Sequence, residues 1–313
     1  MMIAMNSPRE IIDEVKKAIV GKDSVLIMAL LAILGRGHIL LEDIPGVGKT
    51  TMALAFSKVL SLGYSRVQFT PDILPSDIVG FSVFNKETRQ MEYKPGAVLC
   101  NLFLADELNR ATSRTQSALL EAMEEGQVTV DGVSHQVPQP FVVIATQNPV
   151  GASGTQLLPD SQMDRFMVRL SLGYPGANDE CELLSRKQGG NPLLQVGQKV
   201  GPGGLAKMCD EVDRVFVKDR ILEYVVSLSN RTRTHPQILQ GASPRASLCV
   251  ISMAKAAAWI QNRDYVLPDD VKIVYGDTVA HRLILTPEAE SRGLSARKLV
   301  DALFDETPIP RIK

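Results

Sequence analysis

Aromatic residues are scarce in this 313-residue chain, at 5 %. Single-stranded nucleic acid is commonly held by bases stacking on aromatic side chains, so there is little material here for such a platform. A surplus of positive charge is also missing: 34 Lys and Arg stand against 35 Asp and Glu, for a net charge of −1. Dedicated nucleic-acid binders carry a basic excess, which leaves a local patch as the remaining electrostatic route. The cysteines Cys100, Cys181, Cys209 and Cys249 are scattered, with no Cys-x-x-Cys pair. That argues against a zinc knuckle or a disulfide framework and suits a reducing compartment. His38, His135, His235 and His281 lie far apart and form no metal-ligand spacing. The longest apolar run, Val25 to Leu34, reaches about half of the roughly 20 residues a membrane span requires. The first dozen residues lack the charged-then-apolar order of a signal segment. These absences lead us to expect a cytoplasmic protein with no membrane span.

What is present is the balance of a globular chain, 45 % hydrophobic and 22 % charged, with length for two domains. Ser7-Pro8-Arg9-Glu10 has the order of a helix start, predicting a first helix that runs to about Val20 and stops at Gly21. Asp23 to Leu34 reads as a second, buried helix. Strand-like runs follow at His38–Glu42, Tyr64–Thr70, Leu102–Ala105, Phe141–Thr146 and Phe166–Leu172, separated by helical stretches such as Thr50–Leu62 and Ser113–Glu125. Such alternation predicts a five-stranded, mostly parallel sheet covered on both faces, an α/β class fold. Two hairpins interrupt it: one between Asp77 and Leu99, turning near Asn85–Thr88, and one over Gln127–Val137, turning at Asp131-Gly132. Residues 1–172 are thus expected as a nucleotide-binding core. The Gly- and Pro-rich stretch 173–204 is expected as a linker. Residues 205–313 are expected as an all-helical domain, with helices near Gly204–Val215, Lys218–Arg231, Pro244–Gln261, Asp269–Arg282 and Ser295–Asp305.

Chemistry concentrates in a few places. Leu40 to Thr50 runs from a strand through Asp43-Ile44-Pro45-Gly46-Val47-Gly48 into Lys49-Thr50-Thr51. A glycine-rich turn between strand and helix directs backbone N–H groups and a helix N-terminus at phosphate oxygens. Lys49 is placed to reach the β- and γ-phosphates, and the Thr50 hydroxyl to ligate Mg²⁺. Asp43 stands where the strict pattern has glycine; because Asp tolerates positive φ better than most residues, the loop remains buildable. Leu102–Glu107 is a buried strand ending in two carboxylates, Asp106 for the Mg²⁺ shell and Glu107 to polarise the attacking water. The strand Phe141–Thr146 delivers Asn148 to the carboxyl edge of the sheet, where ligands of α/β folds bind. Arg165, with Arg169 as the second choice, precedes the last strand at a position from which an arginine can enter a neighbour's site. Ser243-Pro244-Arg245 puts a cation in the first turn of a helix, against the macrodipole, which invites a functional explanation such as contact with phosphate.

In this order the pieces resemble AAA+ ATPases, and in detail the MoxR family. The most specific stretches are Gln68–Gly80, Asp106-Glu107-Leu108-Asn109-Arg110-Ala111, Gln116–Met123 and Gly241–Ala246. The resemblance runs from Ile19-Val20-Gly21 to Thr307-Pro308-Ile309-Pro310. It implies an AAA+ core with a helical lid, and ATP/ADP and Mg²⁺ as ligands. It makes Lys49–Thr50 the Walker A motif and Asp106–Glu107 Walker B. Asn148 becomes sensor 1, Arg165 the arginine finger and Arg245 sensor 2, with Val20 and Gly21 flanking adenine. It further implies a homo-oligomeric, hexameric ring whose pore the two hairpins line or cap. Its work would be chaperone-like, in the maturation or metal and cofactor insertion of a client complex, alongside a partner carrying a von Willebrand factor A domain. Two alternatives stay open: a nucleic-acid-dependent motor related to helicases that share such hairpins, and a slow ATP-dependent assembly switch. Charge and aromatic content argue against the first, Glu107 and Asn148 against the second.

Overall fold

The structure is a computed structural model and describes residues 8–148 and 158–310. Ser7, expected to cap the first helix, lies outside the described residues. Thirteen described α-helices and eleven strands follow in chain order. The first part contains α1 (Pro8–Val15), α2 (Asp23–Leu34), β1 (Ile39–Glu42), α3 (Lys49–Val59), β2 (Tyr64–Gln68) and α4 (Pro75–Val79). The hairpin β3 (Gly80–Asn85) and β4 (Gln90–Pro95) comes next, then β5 (Leu102–Asp106) and α5 (Ser113–Glu125). A second hairpin, β6 (Gln127–Val130) and β7 (Val133–Gln136), precedes β8 (Val142–Gln147), α6 (Asp160–Met163) and β9 (Val168–Leu170). After α7 (Ala177–Gln188) come α8 (Gly204–Asp213), α9 (Asp219–Thr234), β10 (Ile238–Gln240), α10 (Pro244–Ile260), α11 (Pro268–Val279), β11 (Ile284–Leu285), α12 (Pro287–Ser291) and α13 (Ala296–Glu306).

The chain divides into two compact units, Met1–Leu26 with His38–Leu158 and Ser171–Ala206, and Ile27–Gly37 with Pro159–Leu170 and Lys207–Lys313. The sheet has the order β2–β5–β8–β1–β9, with β2–β5, β5–β8 and β1–β8 parallel. β5 and β8 are buried at every residue, as central strands of a doubly covered parallel sheet must be. This order puts the carboxyl ends of β1, β5 and β8 side by side. His38, at the foot of β1, is buried. Its Nδ1 accepts from the Val143 N–H at 3.0 Å and its Nε2–H donates to the Met123 carbonyl at 3.0 Å. Burial without a counter-charge lowers its pKa to about 4, so it serves as a neutral strut.

Both hairpins form where expected. Asp131 and Gly132 take φ of 51° and 79°, the paired positive values of a type I′ turn that matches strand twist. Tyr93 of β4 stacks on His135 of β7 with ring centroids 3.6 Å apart, so the two hairpins are joined. Phe81, Phe84 and Met91 remain at least half exposed.

Three expectations need correction. First, α1 ends at Val15 rather than near Val20. The next turn tightens to Lys17 N–H···Glu14 O and Ala18 N–H···Val15 O bonds, and the Arg186 guanidinium takes the Lys16 and Lys17 carbonyls at 2.6 and 3.0 Å. A cation on terminal carbonyls is a common way to end a helix. Second, the expected linker 173–204 carries the twelve-residue helix α7 and belongs to the first unit. That helix buries none of its residues, so no apolar periodicity announces it. Its support is electrostatic, with Asp179 and Glu180 in the first turn and Arg186 and Lys187 in the last. The core was also expected to end at 172, yet Pro159–Leu170 groups with the helical unit. Buried Arg282 explains this: it donates to Asp164 Oδ1 at 2.7 Å and to the Asp164 and Phe166 carbonyls at 3.1 and 2.7 Å. Third, the helical unit contains one short antiparallel pair, β10–β11, in which strands of three and two residues are too short to show alternation.

Candidate functional site

The site is built at the carboxyl ends of β1, β5 and β8. After β1, Gly46 and Gly48 adopt φ of 84° and 102°, a conformation glycine reaches without a Cβ clash. Gly48 caps α3 in that left-handed state, which sets the loop at a helix N-terminus, where phosphate oxygens are favoured. The Lys49 ammonium folds back onto the Asp43 and Ile44 carbonyls at 2.6 and 3.2 Å. Burial lowers its pKa, while the nearby charges of Asp43, Asp106 and Glu107 pull it back up.

Asp43 itself corrects the expectation that it would take a glycine-like turn, since its φ is not among the positive ones. Its side chain is buried, and the carboxylate accepts from Ser171 Oγ at 2.8 Å and from the Leu172 and Gly173 N–H groups at 2.6 and 2.9 Å. The residue departs from the strict pattern because it makes a bond that glycine cannot.

β5 delivers Asp106, whose Oδ1 accepts from the Thr146 hydroxyl at 2.7 Å and whose Oδ2 pairs with Arg66 at 2.7 Å. Glu107 follows in the left-handed region, φ 56° and ψ 46°, an uncommon conformation for a non-glycine residue that tends to occur at functional sites. Its N–H donates to the same Thr146 hydroxyl at 2.8 Å. Its carboxylate oxygen Oε2 accepts from Gln68 at 2.9 Å and from Arg110 at 2.7 Å. Arg66 also donates to Gln68 Oε1 at 3.1 Å, so Asp106 and Glu107 are joined through one polar network. Thr146, Arg66 and Gln68 were not singled out as site residues. Thr146 and Arg66 touch Asp106 from 40 residues away in sequence, which no local pattern reveals.

A cavity of about 280 Å³ is lined by Pro45, Gly46, Gly48, Lys49, Thr50, Thr51, Asp106, Glu107 and Asn148. The structure therefore gathers the expected phosphate loop, both carboxylates and Asn148 at one place. Hydroxyl, carboxylate and amide side chains line this cavity together with a lysine and the glycine-rich loop, a donor and acceptor set suited to a polyphosphate with a hard cation. An adjoining cleft of about 730 Å³ shares Gly46 and Gly48, and its walls include Ile19, Val20, Tyr174, Pro175 and Leu193. Val20 and Val47 thus lie on the cleft. Gly21, expected beside them, instead faces α7: a Cβ there would fall 2.0 Å from the Asp179 carboxylate.

Arg165, Arg169 and Arg245 all belong to the second unit. Ser243 caps α10 by accepting from the Ala246 N–H at 3.2 Å, and its hydroxyl donates to Asp164 at 3.1 Å. Asp164, the neighbour of Arg165, is thus tied both to Arg282 and to the turn that precedes Arg245.

The chain is similar to known proteins along most of its length. Residues 38–168 match the family "ATPase family associated with various cellular activities (AAA)", and residues 230–303 match the AAA lid domain. The chain is 43 % identical to the uncharacterized protein YeaC of Bacillus subtilis, over 96 % of this chain and 93 % of that one. It is 37 % identical to Chaperone MoxR1 of Mycobacterium tuberculosis, over 96 % of this chain and 81 % of that one. A crystal structure from Cytophaga hutchinsonii, provisionally described as an ATPase, superposes with a TM-score of 0.90 at 39 % identity, covering 97 % of this chain and 94 % of that one. With an AAA core match, a lid match and a MoxR relative aligned along most of both chains, the chain belongs to the MoxR family of AAA+ ATPases.

Proposed function

We propose that this chain hydrolyses ATP to ADP and phosphate and uses the cycle to remodel a partner protein. The reading is carried by one observation: Lys49, Thr50, Asp106, Glu107 and Asn148 line a single cavity beside a larger, partly apolar cleft. The triphosphate lies along the loop, with Lys49 exchanging the Asp43 and Ile44 carbonyls for phosphate oxygens. The base enters the cleft beside Val20. Thr50 and Asp106 offer oxygens of the kind Mg²⁺ prefers and would hold that ion, which would supply neutralisation of phosphate charge. Glu107 orients the attacking water and accepts its proton. Gln68 and Arg110 both bond Oε2, which orients the carboxylate and leaves Oε1 for the water. Asn148 fixes the γ-phosphate or the water. Arg165 is the arginine finger, acting in a neighbouring subunit's site, and Arg245 serves as sensor 2.

Work on a partner follows from the chaperone name of the mycobacterial relative and from Phe81, Phe84 and Met91, which the β3–β4 hairpin holds out to solvent. We further propose a cytoplasmic hexameric ring acting with a von Willebrand factor A domain protein on a client complex, in maturation or metal and cofactor insertion. Among the described residues no helix is long and apolar enough to cross a membrane. None of the four cysteines is paired.

Steady-state hydrolysis measured against protein concentration, with increasing doping by Arg165→Ala subunits, tests the proposal. Specific activity should rise with concentration and fall on doping at constant wild-type subunit. Activity indifferent to both, from a protein that sizes as a monomer, would replace the ring with a self-contained nucleotide switch.

A further inference from the structure

Asp43 uses each of its polar groups. Its N–H donates to the Gln147 carbonyl at 3.2 Å, its carbonyl accepts Lys49 Nζ at 2.6 Å, and its carboxylate accepts three bonds from Ser171, Leu172 and Gly173. The first two contacts belong to the phosphate end of the site. The third set holds a turn that leads directly to Tyr174 and Pro175, both on the wall of the 730 Å³ cleft. Lys22 fixes the far side of that turn by donating to the Tyr174 carbonyl at 2.8 Å. The wall is therefore pinned at two points, and one of them is the phosphate loop itself.

We propose that Asp43 is a positioning residue that ties the phosphate loop to the base-side wall, so that the site is shaped for a whole nucleotide rather than for a polyphosphate alone. The proposal rests on the ATP-site reading above. The chemistry of the bond set makes Asp43 hard to replace. Two backbone N–H groups and a hydroxyl converge on its carboxylate, so an amide would turn its own N–H₂ toward a donor and leave a buried donor unsatisfied. Glycine would restore the strict loop pattern but supply no acceptor at all. If Asp43 merely occupied a turn position, glycine would serve at least as well.

The test compares Asp43→Gly, Asp43→Asn and Ser171→Ala with wild type, reading three quantities. These are the KM of ATP, the dissociation constant of ADP, and the inhibition constant of pyrophosphate as a base-free probe of the loop. Losing the charged bonds to the wall should weaken ADP and raise the KM of ATP by about 10- to 100-fold for both Asp43 variants. Pyrophosphate inhibition should stay within about threefold. Ser171→Ala, which removes one of the three donors to the carboxylate and leaves the Leu172 and Gly173 N–H bonds in place, should raise the ADP constant by roughly threefold to tenfold. Asp43→Gly binding ADP as wild type does would overturn the proposal, and so would equal losses of ADP and pyrophosphate. If the Asp43 variants do not fold, an unchanged ADP constant in Ser171→Ala overturns it. Lys49→Ala separates the two levels: ADP and pyrophosphate binding left intact by that variant would sink the ATP-site reading itself.

Discussion

Thr146→Val offers a quantitative test of how the two carboxylates are held. Thr146 is fully buried, and its single hydroxyl both donates to Asp106 Oδ1 at 2.7 Å and accepts from the Glu107 N–H at 2.8 Å. Valine keeps the shape and removes both bonds. Stranding a buried N–H costs about 1–3 kcal/mol, and losing a hydrogen bond to a charged group about 1.5–3 kcal/mol. The valine methyl returns roughly 1 kcal/mol of burial, so the net destabilisation should be about 2–5 kcal/mol. In urea monitored by far-UV circular dichroism this corresponds to a midpoint shift of about 1 M. The same hydroxyl helps hold Glu107 in its left-handed conformation, so kcat should fall at least about tenfold while the KM of ATP, set at the loop, changes little. Thr146→Ser retains the hydroxyl and should lie within about 1.5 kcal/mol of wild type with near-normal kcat. Equal stability and equal kcat for the valine and serine variants would refute the bridging role.

The remaining predictions follow from other contacts. Glu107→Gln should bind ATP but lose about two to four decades of turnover; nucleotide-binding and phosphate-release assays separate the two. His38 has a folded pKa of about 4, below the roughly 6.5 of an unfolded histidine, so the unfolded chain binds the extra proton. Its contribution to stability is complete above about pH 6.5 and declines by up to about 3 kcal/mol as pH falls toward 4. A His38→Gln variant should show a correspondingly flatter stability profile over that window in urea titrations. Burial depresses buried His281 in the same direction, with the neighbouring Arg282 and Arg169 charges adding to it. Arg282→Met would leave Asp164 without its cation and several carbonyls without donors. The expected cost is about 3–5 kcal/mol, read as early unfolding of the helical unit by hydrogen exchange.

How much of this was legible depends on range. The phosphate loop was readable because its chemistry is local: two glycines, a lysine and a threonine between a strand and a helix. The Asp131-Gly132 turn was readable for the same reason. Asn148 emerged from strand order, since a buried strand must deliver its end to the ligand edge. Arg66 and Thr146 were not legible, because each meets Asp106 across strands whose register only the folded sheet sets. α7 was hidden by its composition, having charged ends but no buried face. Asp43 was seen as an irregularity and given a backbone explanation, whereas the cause is a side-chain acceptor for residues 128 to 130 positions away.

The grip of Arg282 on residues 164–167 has a practical consequence for anyone cutting or grafting this protein. A fragment beginning at Lys207 would contain the arginine without the carboxylate and carbonyls that satisfy it, and also without Ile27–Gly37, which groups with the same unit. Such a fragment should express poorly however well its helices are patterned. The same applies to chimaeras with relatives. A swap made only at the start of α8 would pair one parent's Asp164 segment with the other parent's α10 cap and α11 terminus, whereas a transplant that carries Pro159–Leu170 along with the helices moves Arg165 and Arg245 as a matched set. The natural unit of exchange is discontinuous in sequence.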